Sequence, residues 1–543
     1  MILKYKTIVA LLFFTATIIS CDVDRLPETT VSDESFWKTE NDLKSAANYF
    51  YSRFAILPVT SDIMSDDAYG SFPDAISDGS RIAGSTDDNL IYTYKYDYTT
   101  IRAANNLIEK STIALSSGVL EQNVNWYVGE AKYFRAWSYY QLLQRYGGVP
   151  LILKTLTENS PELQAPQASR EEIINAIYAD LDDAVLKLRT ATQLGTENYG
   201  RISQTAALTL KAQVALFEGT RAKFHGYGDP IKHLTIAKNA SYQVMNSGQH
   251  RLFNNYFQLL QYEGEGFLNK ENIVVKQYGK SITENTISHN SQRTLELGGS
   301  NPTKALADSY LMTDGLTITK SPLYVTPTKT AEVFINRDPR MGARFLKTGD
   351  PYITSTPVFT VPNLGFTKTG FANRSYANMA DWTNSNSYID QPVTRYAEVL
   401  LIYAESTFEL NNSISDNDLN LSINLLRERV SMPKLTNAFV AANNLDMRTE
   451  IRRERRVELA LEGFRYWDLI RWKTAEIELP KEVLGSFFFT EFGTSSIPLL
   501  NEENFIITQR STTRKFNASR DYLWPFPNNE IGLNPNLKQN PNW

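Results

Sequence analysis

The sequence predicts a mainly α-helical protein in which a scaffold of paired helices carries one large, irregular, loop-rich insert and few short strands. Three observations lead there. Segments with an apolar period near 3.6 follow one another from Thr99 to Gly248 and resume at Val393. Between residues 250 and 392 that period is lost, and Gly, Pro, Asn, Thr and aromatic residues take over. At 42% hydrophobic and 12% aromatic residues in 543, the chain can fill a large core without disulfides.

The first stretch is a leader rather than an element of the fold. In MILKYKTIVALLFFTATIISCDVDRLPE, Lys4 and Lys6 precede an apolar run from Ile8 to Ile19, too short to span a bilayer. The run ends at Ser20, and Cys21 is the only cysteine of the chain. An aliphatic, a variable and a small residue before a cysteine form the pattern of a bacterial lipoprotein signal. Residues 1–20 are therefore expected to be removed, Cys21 lipidated, and 21–33 left as a tether.

The first helix begins at TENDLKSAANYFYSRF, where Thr39 and Asp42 can cap each other and Leu43, Ala46, Ala47 and Phe50 share a face. Residues 58–98 read as a long loop rich in Asp, Ser, Gly and Tyr. Helices follow in TIRAANNLIEKS, NWYVGEAKYFRAWSYYQLLQRYGG (ended by its glycine pair) and ASREEIINAIYADLDDAVLKL, whose Ser169 and Glu172 form a capping box. SQTAALTLKAQVALFEGTRAKF and LTIAKNASYQVMNSG continue the series. Ala131, Ala136, Ala206, Ala207, Ala212, Ala215, Ala237 and Ala240 recur on apolar faces, where helices can cross closely. Helix pairs at a spacing of roughly 35 residues resemble tetratricopeptide hairpins. After the insert, VTRYAEVLLIYAESTFEL, LNLSINLLRERVSM and MRTEIRRERRVELALEGFRYWDLIRW are helical. In the last, Val457, Ala460, Leu461, Phe464 and Trp467 form the expected buried stripe, and the charges opposite read as a solvated face. The proline-broken tail YLWPFPNNEIGLNPNLKQNPNW reads as a strap. The expected layout is one domain over 34–543, with helical scaffold at about 34–250 and 393–475, insert at about 251–392 and strap at about 476–543.

Charge and motif content exclude several function classes. A net charge of −5 with scattered Lys and Arg argues against nucleic acid. Four histidines at no metal-ligand spacing predict no metal, and no cofactor is expected. No nucleophile elbow or phosphate loop occurs. Arg135, Arg395, Glu398, Trp467, Asp468 and the EIRRERR charges read as ties between helices.

Several segments together resemble the SusD/RagB family of outer-membrane, glycan-binding lipoproteins. They are ESFWKTENDLKSA, GEAKYFRAWSYYQLLQRYGGVPLI, NPTKALADSYLMTDGLTI with NRDPRMGARFL, TRYAEVLLIYAES, IRRERRVELALEGFRYWDLIRW and YLWPFPNNEIGLNPNLKQNPNW, in the family's order behind a lipoprotein signal. The resemblance implies a tetratricopeptide-like scaffold with a loop-built face. It also implies a non-enzymatic, cell-surface protein that captures an oligo- or polysaccharide for a SusC-like TonB-dependent transporter, anchored to the outer membrane by its lipid. Two alternatives stay open: a non-glycan nutrient for the same type of importer, or a glycoside hydrolase, which would need two carboxylates at a set separation.

Sugar binding needs an aromatic plate beside hydrogen-bonding Asp, Asn or Arg groups. Asp67, Tyr69, Phe72 and Arg81 in SDIMSDDAYGSFPDAISDGSRIAG supply that chemistry, and the resemblance puts weight on this N-terminal region. Tyr94 and Tyr98 belong to an alternating tyrosine run, Tyr92 to Tyr98, that would share one face of a strand or spread around a helix. In the insert, His289 and Arg293 are candidates, as is Trp382, set among Asp and Asn residues. Trp382→Ala or Tyr69→Ala is expected to weaken binding without changing thermal stability.

Overall fold

In a computed structural model the residues described are 36–54, 62–84, 88–280, 287–351, 358–383, 386–493 and 497–543. The leader, Cys21 and the tether lie outside them, as does the side chain of Tyr92. Helix α1 (Glu40–Tyr51) begins with the expected capping box: the Thr39 amide donates to Asp42 Oδ2 at 2.8 Å and the Asp42 amide to Thr39 Oγ1 at 3.2 Å. Helices α2 (Asp88–Ser116), α3 (Glu121–Tyr146), α4 (Arg170–Lys187), α5 (Gln204–His225) and α6 (Pro230–Asn246) follow. Each packs on the next, and α6 then packs on α7 (Tyr396–Asn411) from beyond the insert. Ser169 and Glu172 cap α4 reciprocally, and the eight alanines expected at close crossings are all buried. Arg135 of α3 reaches Asp180 of α4 through Nη2 at 2.6 Å and Asn105 of α2 through Nη1 at 2.7 Å, tying three helices together.

Helix α2 begins well before Thr99, so the tyrosine run is helical rather than extended. Tyr94 and Tyr98, four apart, meet with ring centroids 4.8 Å apart and planes tilted by 48° on its inner side, whereas Tyr96 is exposed.

The insert is closed at its neck. Strand β2 (Asn272–Lys276) pairs antiparallel with β4 (Gln391–Arg395), Lys276 opposite Gln391 and Asn272 opposite Arg395, and β4 runs directly into α7. A second ribbon joins the N-terminal loop to the insert: β1 (Ala68–Tyr69) pairs with β3 (Asn301–Pro302). The C-terminal segment is more than a strap, because it first forms the ribbon of β5 (Val483–Phe487) and β6 (Phe505–Gln509). Only then does it clamp the end of α3: Phe526 stacks on Tyr146 at 5.0 Å, and the Trp524 amide donates to the Arg145 carbonyl at 2.6 Å.

The last helix departs from expectation twice. It is broken into α8 (Met447–Glu458) and α9 (Arg465–Arg471), because Leu461 (φ 63°) and Gly463 (φ 89°) adopt the left-handed region. Its charged side is not solvated. Glu454 and Glu458 are buried and meet Arg340 of the insert at 2.7 and 3.0 Å, where Arg340 also holds Asp338 at 2.7 Å. Arg427 pairs with Glu454 at 2.8 Å and Arg429 with Glu458 at 2.5 Å. Arg395 reaches Glu271 at 2.8 Å, Glu458 at 2.7 Å and Glu462 at 2.8 Å, while Arg344 takes the other oxygen of Glu462 at 2.7 Å. Burial alone would raise the Glu458 carboxyl, but Arg429, Arg395 and Arg340 hold it well below the usual carboxylate range. The network locks insert to scaffold.

A weaker acid pair sits beside the neck. Burial, then Asp390, pushes Glu265 up to about 8, and burial pushes Asp390 up to about 7. The Asp390 amide donates to Glu265 Oε1 at 2.9 Å. A folded-state pKa raised above the unfolded value of about 4 stabilises below that value and is lost as pH climbs toward 8. Urea unfolding between pH 5 and 8 is expected to show a smaller loss of stability for Glu265→Gln than for the unaltered protein. Equal slopes would rule out this role.

Candidate functional site

Four backbone segments converge on the loop-built face: 68–73, 289–302, 363–368 and 378–383. The β1–β3 ribbon aligns the first two, and Asn301 Nδ2 fixes their turns by donating to the carbonyls of Tyr69 (3.1 Å) and Gly298 (2.7 Å). Ser71 Oγ donates to the Leu297 carbonyl at 3.3 Å. Gly298 has φ 68°, and a Cβ there would lie 2.0 Å from the Phe366 carbonyl oxygen, so the third segment seats directly on the second. The fourth is attached through Gln292, whose Oε1 accepts from the Asn378 amide at 2.9 Å and whose Nε2 donates to the Tyr376 carbonyl. Asn378 caps the short helix that carries Trp382, and this helix packs against the one that carries Arg293.

On this tied backbone Phe72 is 80% exposed, with Phe366 at 46% and Leu297 at 45% nearby. Solvation would normally drive such side chains inward, so holding them out on braced loops favours a ligand-contact role. Arg293 is exposed and pairs with Glu296 at 2.5 Å, and Trp382 is partly exposed. Backbone contacts thus join the segments that carry Phe72, Arg293 and Trp382. Phe366 and Leu297 were not anticipated from sequence, although the glycines around GFTKTG and LGG mark both as turn residues. Gly298→Ala is expected to lower stability by about 1 kcal/mol or more and to weaken ligand binding, through a strained backbone and a clash with Phe366. An unchanged unfolding midpoint would show that the two loops do not bear on each other.

The remaining candidates support this face or lie elsewhere. Asp67 is buried under β1, where its Oδ1 accepts from Arg456 Nε at 2.7 Å. Its neighbour Asp66 takes both Arg456 (2.9 Å) and Arg465 (2.8 Å), which overcome the effect of burial and hold its carboxyl well below the usual range. Tyr69 is only 9% exposed. Tyr69→Ala would therefore remove packed surface and change thermal stability as well, contrary to expectation. His289 is buried between Tyr278 (4.7 Å) and Tyr376 (6.1 Å), its Nε2 is 3.0 Å from the Ile389 carbonyl, and burial lowers its pKa. Arg81, Tyr94 and Tyr98 belong to the seam under the C-terminal strap. Arg81 lies 3.9 Å over the Trp524 ring, Tyr94 meets Phe526 at 6.0 Å, and Tyr98 Oη donates to the Pro150 carbonyl at 2.7 Å. Among the described residues no cluster of three His, Asp or Glu is placed to hold a metal, and no helix is long and apolar enough to cross a membrane.

Comparison with known proteins places this architecture. The model of the SusD family matches residues 269–543, half of the chain. The chain belongs to the SusD family. A second family model, described as starch-binding and associating with the outer membrane, matches residues 31–216. A SusD-like protein of Bacteroides ovatus is 23% identical over 96% of this chain and 94% of its own length. A SusD-like protein of Formosa agariphila is 25% identical over 99% of both. A SusD-like carbohydrate-binding protein from Bacteroides fragilis, solved by crystallography, superposes with a TM-score of 0.78 at 23% identity, covering 93% of this chain and all of that one. The surface glycan-binding protein A of Bacteroides fluxus superposes with a TM-score of 0.63 at 21% identity over 93% of this chain and all of its own. The SusD fold accounts for the helix stack, the insert and the strap together.

Proposed function

We propose that this SusD-family protein is a non-catalytic, lipid-anchored glycan-binding protein of the outer membrane. It captures an oligo- or polysaccharide on the loop face around Phe72 and passes it to a SusC-like TonB-dependent transporter. The observation that carries the reading is the set of aromatic and guanidinium side chains held outward on mutually braced loops, since a sugar ring offers an apolar C–H face and a hydroxyl rim to that combination. The descriptions of the relatives as carbohydrate- or glycan-binding, and of the second family model as outer-membrane-associated, support it. The lipid on Cys21 would hold the body, residues 34–543, as one domain at the cell surface. A glycan array probed with the purified protein, followed by calorimetry on each hit, tests the reading. A defined polysaccharide hit supports it. Binding of a non-glycan nutrient alone, or release of hydrolysis products from a bound oligosaccharide, would overturn it.

A further inference from the structure

A cavity of about 470 Å³ lies away from the loop face, between α3, α5, β4 and the α8–α9 break. This is far larger than the voids a packed core tolerates, and it falls in the range of small-molecule sites. Trp137 and Tyr140 of α3 and Phe464 and Trp467 beside the break give it aromatic walls. Its polar wall is unusual. Gln213 Nε2 donates to Glu398 Oε2 at 2.7 Å, but Arg455 Nη1 and Gln391 Oε1, both buried, have no hydrogen-bond partner among the described residues. A buried donor and a buried acceptor left unmatched among the lining residues cost free energy unless something in the cavity satisfies them. The charged groups around them already neutralise one another: Arg455 pairs with Asp468 at 2.9 Å, and Arg471 with Asp468 at 2.8 Å and with Glu405 at 2.5 Å. A third lining group adds to the unmatched set: Arg145, 5.3 Å over the Trp467 ring, has its Nε buried with no hydrogen-bond partner among the described residues.

We infer that this cavity is a second binding site, separate from the loop face, for a hydroxyl-rich small molecule of mono- or disaccharide size. Its hydroxyls would accept from Arg455 and donate to Gln391, with a ring face against Trp137 or Trp467. The site lies on the scaffold side of the insert's neck, and its occupancy does not depend on which polymer the loop face takes.

Isothermal titration of the purified protein with glucose, galactose, cellobiose and lactose tests the inference, read beside intrinsic tryptophan fluorescence. At least one sugar is expected to bind saturably. Val393→Phe, which fills the cavity from β4, is expected to weaken that binding at least tenfold, while Phe72→Ala leaves it unchanged. Gln391→Leu removes the unmatched acceptor without adding bulk and is expected to weaken binding as well, so it decides the matter if Val393→Phe unfolds. No saturable binding by any of the four sugars, or binding abolished by Phe72→Ala and kept by the cavity variants, would overturn it. Failure here leaves the loop-face reading to its own array test.

Discussion

Arg395→Met is expected to destabilise the protein by about 3–5 kcal/mol, the range for removing one partner of a buried ion network. The guanidinium is 2% exposed and serves Glu271, Glu458 and Glu462 at once. Removing it leaves three carboxylates in a place where water cannot replace the lost donors. Arg340, Arg344 and Arg429 still reach all three carboxylates, so the loss stays within that range. The contrast is Lys481→Ala, which breaks a pair with Glu478 whose lysine side chain is 59% exposed. That change is expected to fall within about 0.5 kcal/mol. Urea unfolding of both variants against the unaltered protein checks the pair. Equal midpoints for all three would mean that the network holds the insert in place without holding the fold together.

Phe72→Ala is expected to lower affinity for the array-identified glycan about 10-fold to 100-fold, with no change in unfolding midpoint. A ring that leaves water only when ligand arrives contributes about 1.5–3 kcal/mol, and each 1.4 kcal/mol is about a tenfold change in affinity. At 80% exposure the same ring contributes almost nothing to the unliganded fold. Trp382→Ala is expected to move affinity in the same direction with a small stability loss, because its ring is partly buried. Calorimetry and thermal unfolding on the same samples separate the two effects. Full affinity in both variants would remove them from the site.

The parts of this fold that read correctly from sequence are those written locally. Thr39 with Asp42 and Ser169 with Glu172 specify helix starts within four residues, and alanines at helical spacing specify close crossings whatever lies opposite. The errors arose where a distant partner decides. The charged side of α8 has the period of a solvated face, and guanidinium groups from other elements, Arg340 of the insert with Arg395, Arg427 and Arg429, turn it into an interior. The left-handed turn at Leu461 is carried by a residue type that rarely adopts it, so only Gly463, inside an otherwise continuous apolar stripe, marks the break in the string. Tyr94 and Tyr98 have the composition of a sugar platform and the position of a core seam, and the choice between them lies in Phe526 at the other end of the chain. Phe72 was legible as a candidate, while its companion Phe366 depends on a backbone contact across Gly298.

The β2–β4 neck bears on how such a protein can diversify. To the helix stack, everything between Lys276 and Gln391 is one clipped excursion whose ends are already joined. Lengthening a closed excursion adds only about 0.6 kcal/mol of closure entropy per doubling. Recombination within residues 277–390 can therefore exchange the insert's part of the candidate surface, leaving Phe72 in place, while the helices keep their own packing. The freedom has a boundary, since a donor segment must bring guanidinium groups to the places of Arg340 and Arg344 or leave Glu454, Glu458 and Glu462 each short of a partner. Chimaeras that respect those two positions should keep the scaffold's fold and change only the insert's share of the ligand contacts.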